Sequence, residues 1–113
     1  MEAVLDRTMI ALSDPTRRAI IAMLEKGEAR VTEIAEPFDM SLNAVSKHIK
    51  LLERAELLTR RKAGREHFLS FNPAPLDALS RWVEAKRAFW SARLDALEAA
   101  INDEIENEKG DTK

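Results

Sequence analysis

The chain has 113 residues, 45% of them hydrophobic and 34% charged, which predicts one globular domain that is neither disordered nor embedded in a membrane. It contains no cysteine, which excludes disulfides, thiolate metal sites and cysteine nucleophiles. No apolar run reaches the ~18 residues of a membrane span, and acids stand where a secretory signal would carry bases. We therefore expect a cytoplasmic protein with no membrane partner.

The net charge of −2 is distributed unevenly along the chain. Between residues 41 and 67, seven Lys and Arg residues stand against three acids, whereas seven acids stand against two lysines between residues 95 and 113. Such a basic segment is typical of a surface that binds a polyanion, with the acidic end held away from it.

Apolar residues at helical spacing predict a first helix over about residues 2–12. Asp14 and Pro15 predict the start of a second helix, because aspartate accepts a hydrogen bond from an unpaired backbone N–H and proline has no N–H to leave unpaired. Gly27 is expected to end this helix, and residues 28–30 are predicted to form a turn.

Two further helices joined by a tight turn are predicted next. Thr32 is the expected cap of a short helix, which Pro37 ends because proline in a helix interior removes a backbone hydrogen bond. Ser41 is the expected cap of the following helix, whose Val45, Ile49 and Leu52 form a buried stripe.

The pattern then changes to strand, turn, strand over residues 57–71, with Gly64 supplying the positive φ of a tight turn. A long helix is predicted over about 76–105. Thirty helical residues span about 45 Å, so part of this apolar helix is expected to meet another chain. We expect one domain over residues 1–107 and a disordered polar tail over 108–113.

This order predicts a mainly α fold with a small β-hairpin, namely a winged helix-turn-helix. The major groove of B-DNA admits one α-helix, and a basic hairpin beside that helix can reach the backbone or the adjacent minor groove.

The sequence resembles the ArsR/SmtB family of bacterial winged-helix regulators. The resemblance spans roughly residues 5–71 and is carried by the segments ALSDPTRR (11–18), VTEIA (31–35), MSLNAVSKHIKLL (40–52) and LLTRRKAGR (57–65). It implies a homodimer, built mainly from the first and last helices, that binds an operator and represses transcription. The resemblance leaves the effector open.

Two metal sites of that family have no counterpart here. The short helix carries no cysteine pair, and the final helix has acids but no histidine, the chain's two histidines being His48 and His67. Zinc prefers thiolate and imidazole ligands, so the sequence predicts no metal and no cofactor.

Three sets of site residues are predicted. In the fourth helix, Asn43 can pair with adenine, Lys47 and Lys50 can neutralise phosphates, and His48 can either contact DNA or pack within the protein. The predicted DNA contacts of this helix are Ser41, Leu42, Asn43, Ser46, Lys47, His48 and Lys50. Those of the wing are Arg60, Arg61, Lys62 and Arg65, although strand alternation prevents all four from touching DNA together. The predicted dimer interface comprises Leu5, Met9, Leu12, Leu79, Trp82, Val83, Phe89, Trp90, Leu94, Leu97 and Ile101.

Other roles remain open for some of these residues. Arg17 and Arg18 can be ordinary surface residues or phosphate contacts, and the aromatic residues near Trp82 and Trp90 can form a dimer core or line an effector pocket.

The sequence thus predicts a homodimeric repressor of double-stranded DNA with a palindromic operator. The alternative is a winged-helix module that binds proteins and not DNA. Catalysis is not expected, because the chain has neither a phosphate-binding glycine loop nor a histidine paired with a nucleophile.

Overall fold

The computed structural model describes residues 2–111, with side chains described over 3–109. The elements in chain order are α1 (Glu2–Leu12), α2 (Pro15–Leu24), β1 (Ala29–Arg30), α3 (Val31–Ala35), α4 (Leu42–Arg54), β2 (Leu58–Ala63), β3 (Glu66–Phe71) and α5 (Ala74–Asp111). The chain divides into two compact units within α5, between Leu79 and Ser80. The first unit carries the predicted helix-turn-helix and wing.

The core of the first unit forms where three helices and the sheet meet. The predicted stripe of α4 is confirmed, since Val45, Ile49 and Leu52 are fully buried. They join apolar side chains of α2, α3 and the strands, including Ile20, Ile34, Leu57 and Leu69. The core therefore fixes one side of α4 and leaves the opposite side in solvent.

Capping residues set the starts of the helices, and two predicted caps are confirmed. The Asp14 carboxylate accepts a hydrogen bond from the backbone N–H of Arg17 at 3.1 Å, with proline at the start of α2. The Ser41 hydroxyl accepts one from the backbone N–H of Ala44 at 3.1 Å. The predicted end of α2 at Gly27 was wrong by three residues: the helix ends at Leu24, and Gly27 follows with a φ of +136°.

The short helix begins one residue earlier than its predicted cap. Arg30, not Thr32, is the residue before α3, and its backbone N–H donates to the Glu33 carboxylate at 3.1 Å. β1 runs directly into α3, and the chain turns at Arg30. There the Glu33 side chain, in the first turn of α3, accepts the hydrogen bond of the Arg30 backbone N–H.

The sheet has a third strand, β1, where the sequence predicts a turn over residues 28–30. β1 pairs antiparallel with β3, so that the strand order is β1-β3-β2. Two residues are too short to show strand alternation, and β1 exists only because β3 provides an edge for it. The hairpin itself is as predicted, with Gly64 at a φ of +62° in the turn between β2 and β3.

α5 is longer at both ends than predicted. It starts at Ala74, whose backbone N–H donates to the Asn72 side chain at 3.2 Å, and Pro75 fits its first turn. Residues 108–111 of the predicted disordered tail are helical here, whereas residues 112 and 113 lie outside the described residues. The division into a domain at 1–107 and a separate tail stays a prediction. No helix between residues 2 and 111 is long and apolar enough to cross a membrane.

Candidate nucleic-acid interface

α3, the turn after it and α4 form the helix-turn-helix, and one side of α4 is free to read DNA. Asn43, Lys47 and Lys50 project from this side, opposite the buried stripe, and they have no hydrogen-bond or ion-pair partner among residues 3–109. Ser46 lies at its margin and is partly exposed. We call these four residues the reading face. An amide and two ammonium groups free of internal partners can meet base edges and phosphates without first breaking a contact.

The N-terminus of α4 adds two further predicted contacts. Leu42 is 54% exposed and can reach an apolar group such as a thymine methyl. The Ser41 oxygen is used as the helix cap, but a hydroxyl that accepts one hydrogen bond still has its own O–H to donate. The DNA contacts of these two residues stay predictions.

His48 lies at an edge of α4 and is bound within the protein. Its Nδ1 is 3.1 Å from a terminal nitrogen of Arg17 and 3.8 Å from the Asp14 carboxylate, and its side chain is only 20% exposed. Of the two roles that the sequence left open, the packing role is thus present in this structure. Nε2 of this ring has no hydrogen-bond partner within residues 3–109, so a DNA contact through that atom stays a prediction.

Arg17 and Arg18 also bind within the protein. The Arg17 guanidinium donates to the carbonyl oxygens of Ala11 and Ile10, at 2.8 and 2.9 Å, and Arg18 donates to that of Leu12 at 2.7 Å. These carbonyls lie in the last turn of α1, beyond which the helix offers no further N–H, and that of Ile10 also accepts from the backbone N–H and the hydroxyl of Ser13. Both guanidinium groups therefore cap the C-terminus of α1.

In the wing, two of the four predicted cations are engaged in ion pairs. Arg60 donates to both carboxylate oxygens of Glu53, at 3.1 and 2.7 Å, and Arg61 donates to both of Glu28, at 3.3 and 2.6 Å. Arg61 also lies 4.5 Å above the ring of Phe68. The two arginines pair with carboxylates from different parts of the chain, Glu53 in the last turn of α4 and Glu28 just before β1, as expected for neighbouring strand residues on opposite faces. Each of these two arginines thus already has a carboxylate partner within the protein, although the Arg61 side chain is itself 56% exposed.

The other two cations of the wing remain available. Lys62 and Arg65 are exposed and have no ion-pair partner within the described part of the chain. Arg65 lies in the turn itself, beside Gly64. The tip of the wing is therefore the part of the hairpin that can bind a phosphate or a narrow minor groove.

The Glu28 carboxylate beside the wing is stabilised in its charged form. A hydrogen bond from Arg61 lowers the pKa of Glu28 below its ordinary value, and partial burial opposes this shift. Glu28 also accepts a hydrogen bond from the Ser70 hydroxyl at 3.2 Å. Glu28 and Glu53 were not singled out from the sequence. Glu53 has a weak local signal, since it lies in the last turn of the helix that precedes β2, but Glu28 has none because β1 is not predicted.

α5 carries a row of large apolar side chains that its own chain leaves in solvent. At 100° of rotation per residue they fall on one side of the helix, and from Trp90 onward they recur at spacings of three and four residues. We call them the α5 stripe, and its members, between 43% and 62% exposed, are Trp82, Val83, Phe89, Trp90, Leu94, Leu97, Ile101 and Ile105. An exposed apolar surface of this extent is typical of a face that binds another protein.

The predicted interface residues outside the α5 stripe differ in exposure. Met9 is 41% exposed, but Leu5 is only 5% exposed and Leu12 and Leu79 are partly buried. Leu5 is therefore already buried in the single chain, whereas Met9 is available to a partner. The sequence could not separate these residues, because helical spacing shows a shared face but not which chain covers it.

No group of three or more His, Cys, Asp or Glu side chains within residues 3–109 is arranged to hold a metal ion. The two histidines lie on α4 and β3, and each places Nδ1 3.1 Å from an arginine, His48 beside Arg17 and His67 beside Arg60. Guanidinium groups repel a cation, so these surroundings are unsuited to a metal.

Comparisons with known proteins agree with this geometry. A family model described as a helix-turn-helix domain matches residues 12–61. The HTH-type transcriptional regulator Rv2034 of Mycobacterium tuberculosis is 36% identical over 99 residues, which cover 88% of this chain and 90% of that protein. The transcriptional repressor SdpR of Bacillus subtilis is 34% identical over 73 residues, 65% of this chain and 81% of that one.

The structure is similar to known structures as well. A crystal structure of an ArsR family transcriptional regulator matches with a TM-score of 0.77 and 35% identity, over 80% of this chain and 94% of that one. The similarity thus extends well beyond the helix-turn-helix, and these relatives are transcriptional regulators, not enzymes. The chain belongs to the ArsR family of helix-turn-helix transcriptional regulators.

Proposed function

We propose that this protein is a homodimeric repressor that binds a palindromic operator with α4 of each protomer in the major groove. The observation that carries the proposal is the reading face, whose amide and ammonium groups are free of internal partners next to a wing with a cationic tip. The printed name of one relative, a transcriptional repressor, supports repression as the outcome of binding. Such a protein works in the cytoplasm, where bacterial DNA lies.

The α5 stripe supports the homodimeric part of the proposal. Two copies related by a two-fold axis can bury the same stripe against each other, as in most soluble homo-oligomers. A two-fold dimer presents two reading faces, and they match operator half-sites about 34 Å apart, one turn of DNA.

The test is a titration of DNA binding against salt, followed by fluorescence anisotropy. The probes are duplex DNA from upstream of the protein's own coding sequence and random duplex DNA of equal length. We expect the upstream DNA to bind roughly 10³-fold more tightly, with an affinity that falls steeply as salt rises. If neither duplex binds even at low salt, the DNA-binding proposal is wrong. The alternative function, a winged-helix module that binds proteins, is then favoured.

A variant of the reading face sharpens this test. Lys47→Ala is expected to weaken binding to both duplexes alike and to make the salt dependence shallower by about one counterion for each protomer. Lys26→Ala is the matched control, since Lys26 is equally exposed but lies in the loop after α2. Equal losses for the two variants would show that only the overall charge matters.

A further inference from the structure

The two edges of α4 are each held by one arginine from another element. With 100° of rotation per residue, His48 lies on one flank of the reading face and Glu53 lies on the other. Arg17 of α2 contacts His48, and Arg60 of β2 binds Glu53. The reading face lies between these two contacts.

The contact at the first edge joins three helices. The Arg17 guanidinium donates to two carbonyls in the last turn of α1 while it reaches Nδ1 of His48 on α4. Arginine has no acceptor atom, so Nδ1 accepts this bond and the ring proton lies on Nε2. A rotation of α4 about its axis would move Nδ1 away from a donor that is itself fixed at two other points.

The contact at the second edge joins α4 to the wing. Arg60 grips Glu53 with two parallel hydrogen bonds, and the two side chains are only 32% and 27% exposed. Paired bonds between guanidinium and carboxylate fix an orientation as well as a distance. Arg60 also lies 3.1 Å from Nδ1 of His67 on β3, so this contact reaches both strands of the hairpin.

We propose that Arg17 and Arg60 are positioning residues, which set the rotation of α4 through His48 and Glu53 and do not themselves bind DNA. The proposal rests on the DNA binding proposed above and concerns how the operator is distinguished from other DNA. Contacts with base edges require the correct rotation of α4, whereas nonspecific attraction to phosphates tolerates a change of rotation. The loss of either contact should therefore affect operator binding much more than random-DNA binding.

The variant Glu53→Ala gives opposite results under the two roles of Arg60. If Arg60 were a phosphate contact, removing the competing carboxylate would free its charge and strengthen binding to both duplexes. If Arg60 is a positioning residue, the same change weakens operator binding, on the order of tenfold for a lost charged hydrogen bond, and does not weaken binding to random DNA. Arg60→Ala and the Glu53→Ala/Arg60→Ala double variant complete a double-mutant cycle. The double variant should lose no more operator affinity than Arg60→Ala alone.

The first edge is tested by a conservative rescue. We expect His48→Ala and Arg17→Ala to reduce the preference for operator over random DNA, and the double variant to lose no more than Arg17→Ala alone. His48→Gln should keep most of the preference, because the amide oxygen can still accept from Arg17. The free energy of unfolding is measured for each variant, and binding is compared at temperatures where all variants are folded.

The outcomes separate the two proposals. A wild-type protein that binds neither duplex overturns both. A wild-type protein that prefers the operator, with a preference that these variants leave unchanged, overturns the positioning role alone. Stronger binding of Glu53→Ala to both duplexes would also overturn it for Arg60.

Discussion

Leu94→Asp tests whether the α5 stripe is the dimer interface. Leu94 is 62% exposed in the single chain, so it contributes little to the folding of its own protomer. In a two-fold dimer centred on the stripe, the same side chain is buried twice, once from each protomer. The substitution should therefore affect association much more than folding.

The expected loss follows from the exposed fraction. Full burial of a leucine side chain contributes about 1.5–3 kcal/mol, so the part still exposed here represents about 1–2 kcal/mol for each protomer. Two-fold symmetry doubles this to about 2–4 kcal/mol per dimer, and two unpaired carboxylates in an apolar interface cost several kcal/mol more. Together these losses exceed about 5 kcal/mol, which raises the dissociation constant by more than about 10³-fold.

Sedimentation velocity over a wide range of protein concentration measures this change directly. Ala92→Asp is the matched control, because it adds the same charge two residues away, about 200° around the helix and off the stripe. We expect Leu94→Asp to be monomeric where the wild type and Ala92→Asp are dimeric, with helical circular dichroism unchanged. A Leu94→Asp protein that dimerises like the wild type would refute the reasoning, as would a monomeric wild type.

Asn43→Ala should lower the preference for the correct base at one position of the operator while leaving random-DNA affinity unchanged. A set of operators with single base changes measures this preference. A uniform loss of affinity on all sequences would contradict the role. Lys62→Gln should make the salt dependence of binding shallower, whereas Arg61→Gln should not, because Arg61 is paired with Glu28 and Lys62 has no carboxylate partner among residues 3–109. Equal slopes for the two variants would refute the distinction. Asp14→Asn should reduce the loss of thermal stability in acid. The hydrogen bond from the Arg17 backbone holds the pKa of Asp14 below its ordinary value of 3.8, so its contribution is present above that pH and lost as the pH falls through the folded value. Melting curves by circular dichroism test this, and an equally steep acid loss in the asparagine variant would contradict it.

Most features that depend on neighbouring residues could be predicted from the sequence, although the cap at Thr32 and the helix end at Gly27 were wrong. The caps at Asp14 and Ser41, the positive φ of Gly64 and the buried stripe of α4 all follow from local chemistry and helical spacing, and the structure confirms them. The family relationship was accessible for the same reason, since its motifs are these caps, stripes and turns in a fixed order.

Features that depend on distant residues could not be predicted in this way. β1 has only two residues and exists because β3 lies beside it. The partners of Arg60 and Arg61 lie 7 and 33 residues away, and nothing in the basic run itself indicates that carboxylates approach it. Counting charges along the sequence therefore does not show which cations of the wing already have a carboxylate partner within the protein.

The pairing of the wing arginines changes how the basic segment is best understood. A hairpin whose cations were all free would bind any DNA more strongly, since phosphate contacts supply affinity without information on sequence. Here Arg60 pairs with Glu53 and joins α4 to the hairpin, while Lys62 and Arg65 at the tip have no ion-pair partner among residues 3–109. This arrangement reduces nonspecific attraction and stiffens the helix proposed to contact base edges. For a regulator that must find one operator among many competing sites, both changes raise the ratio of specific to nonspecific binding.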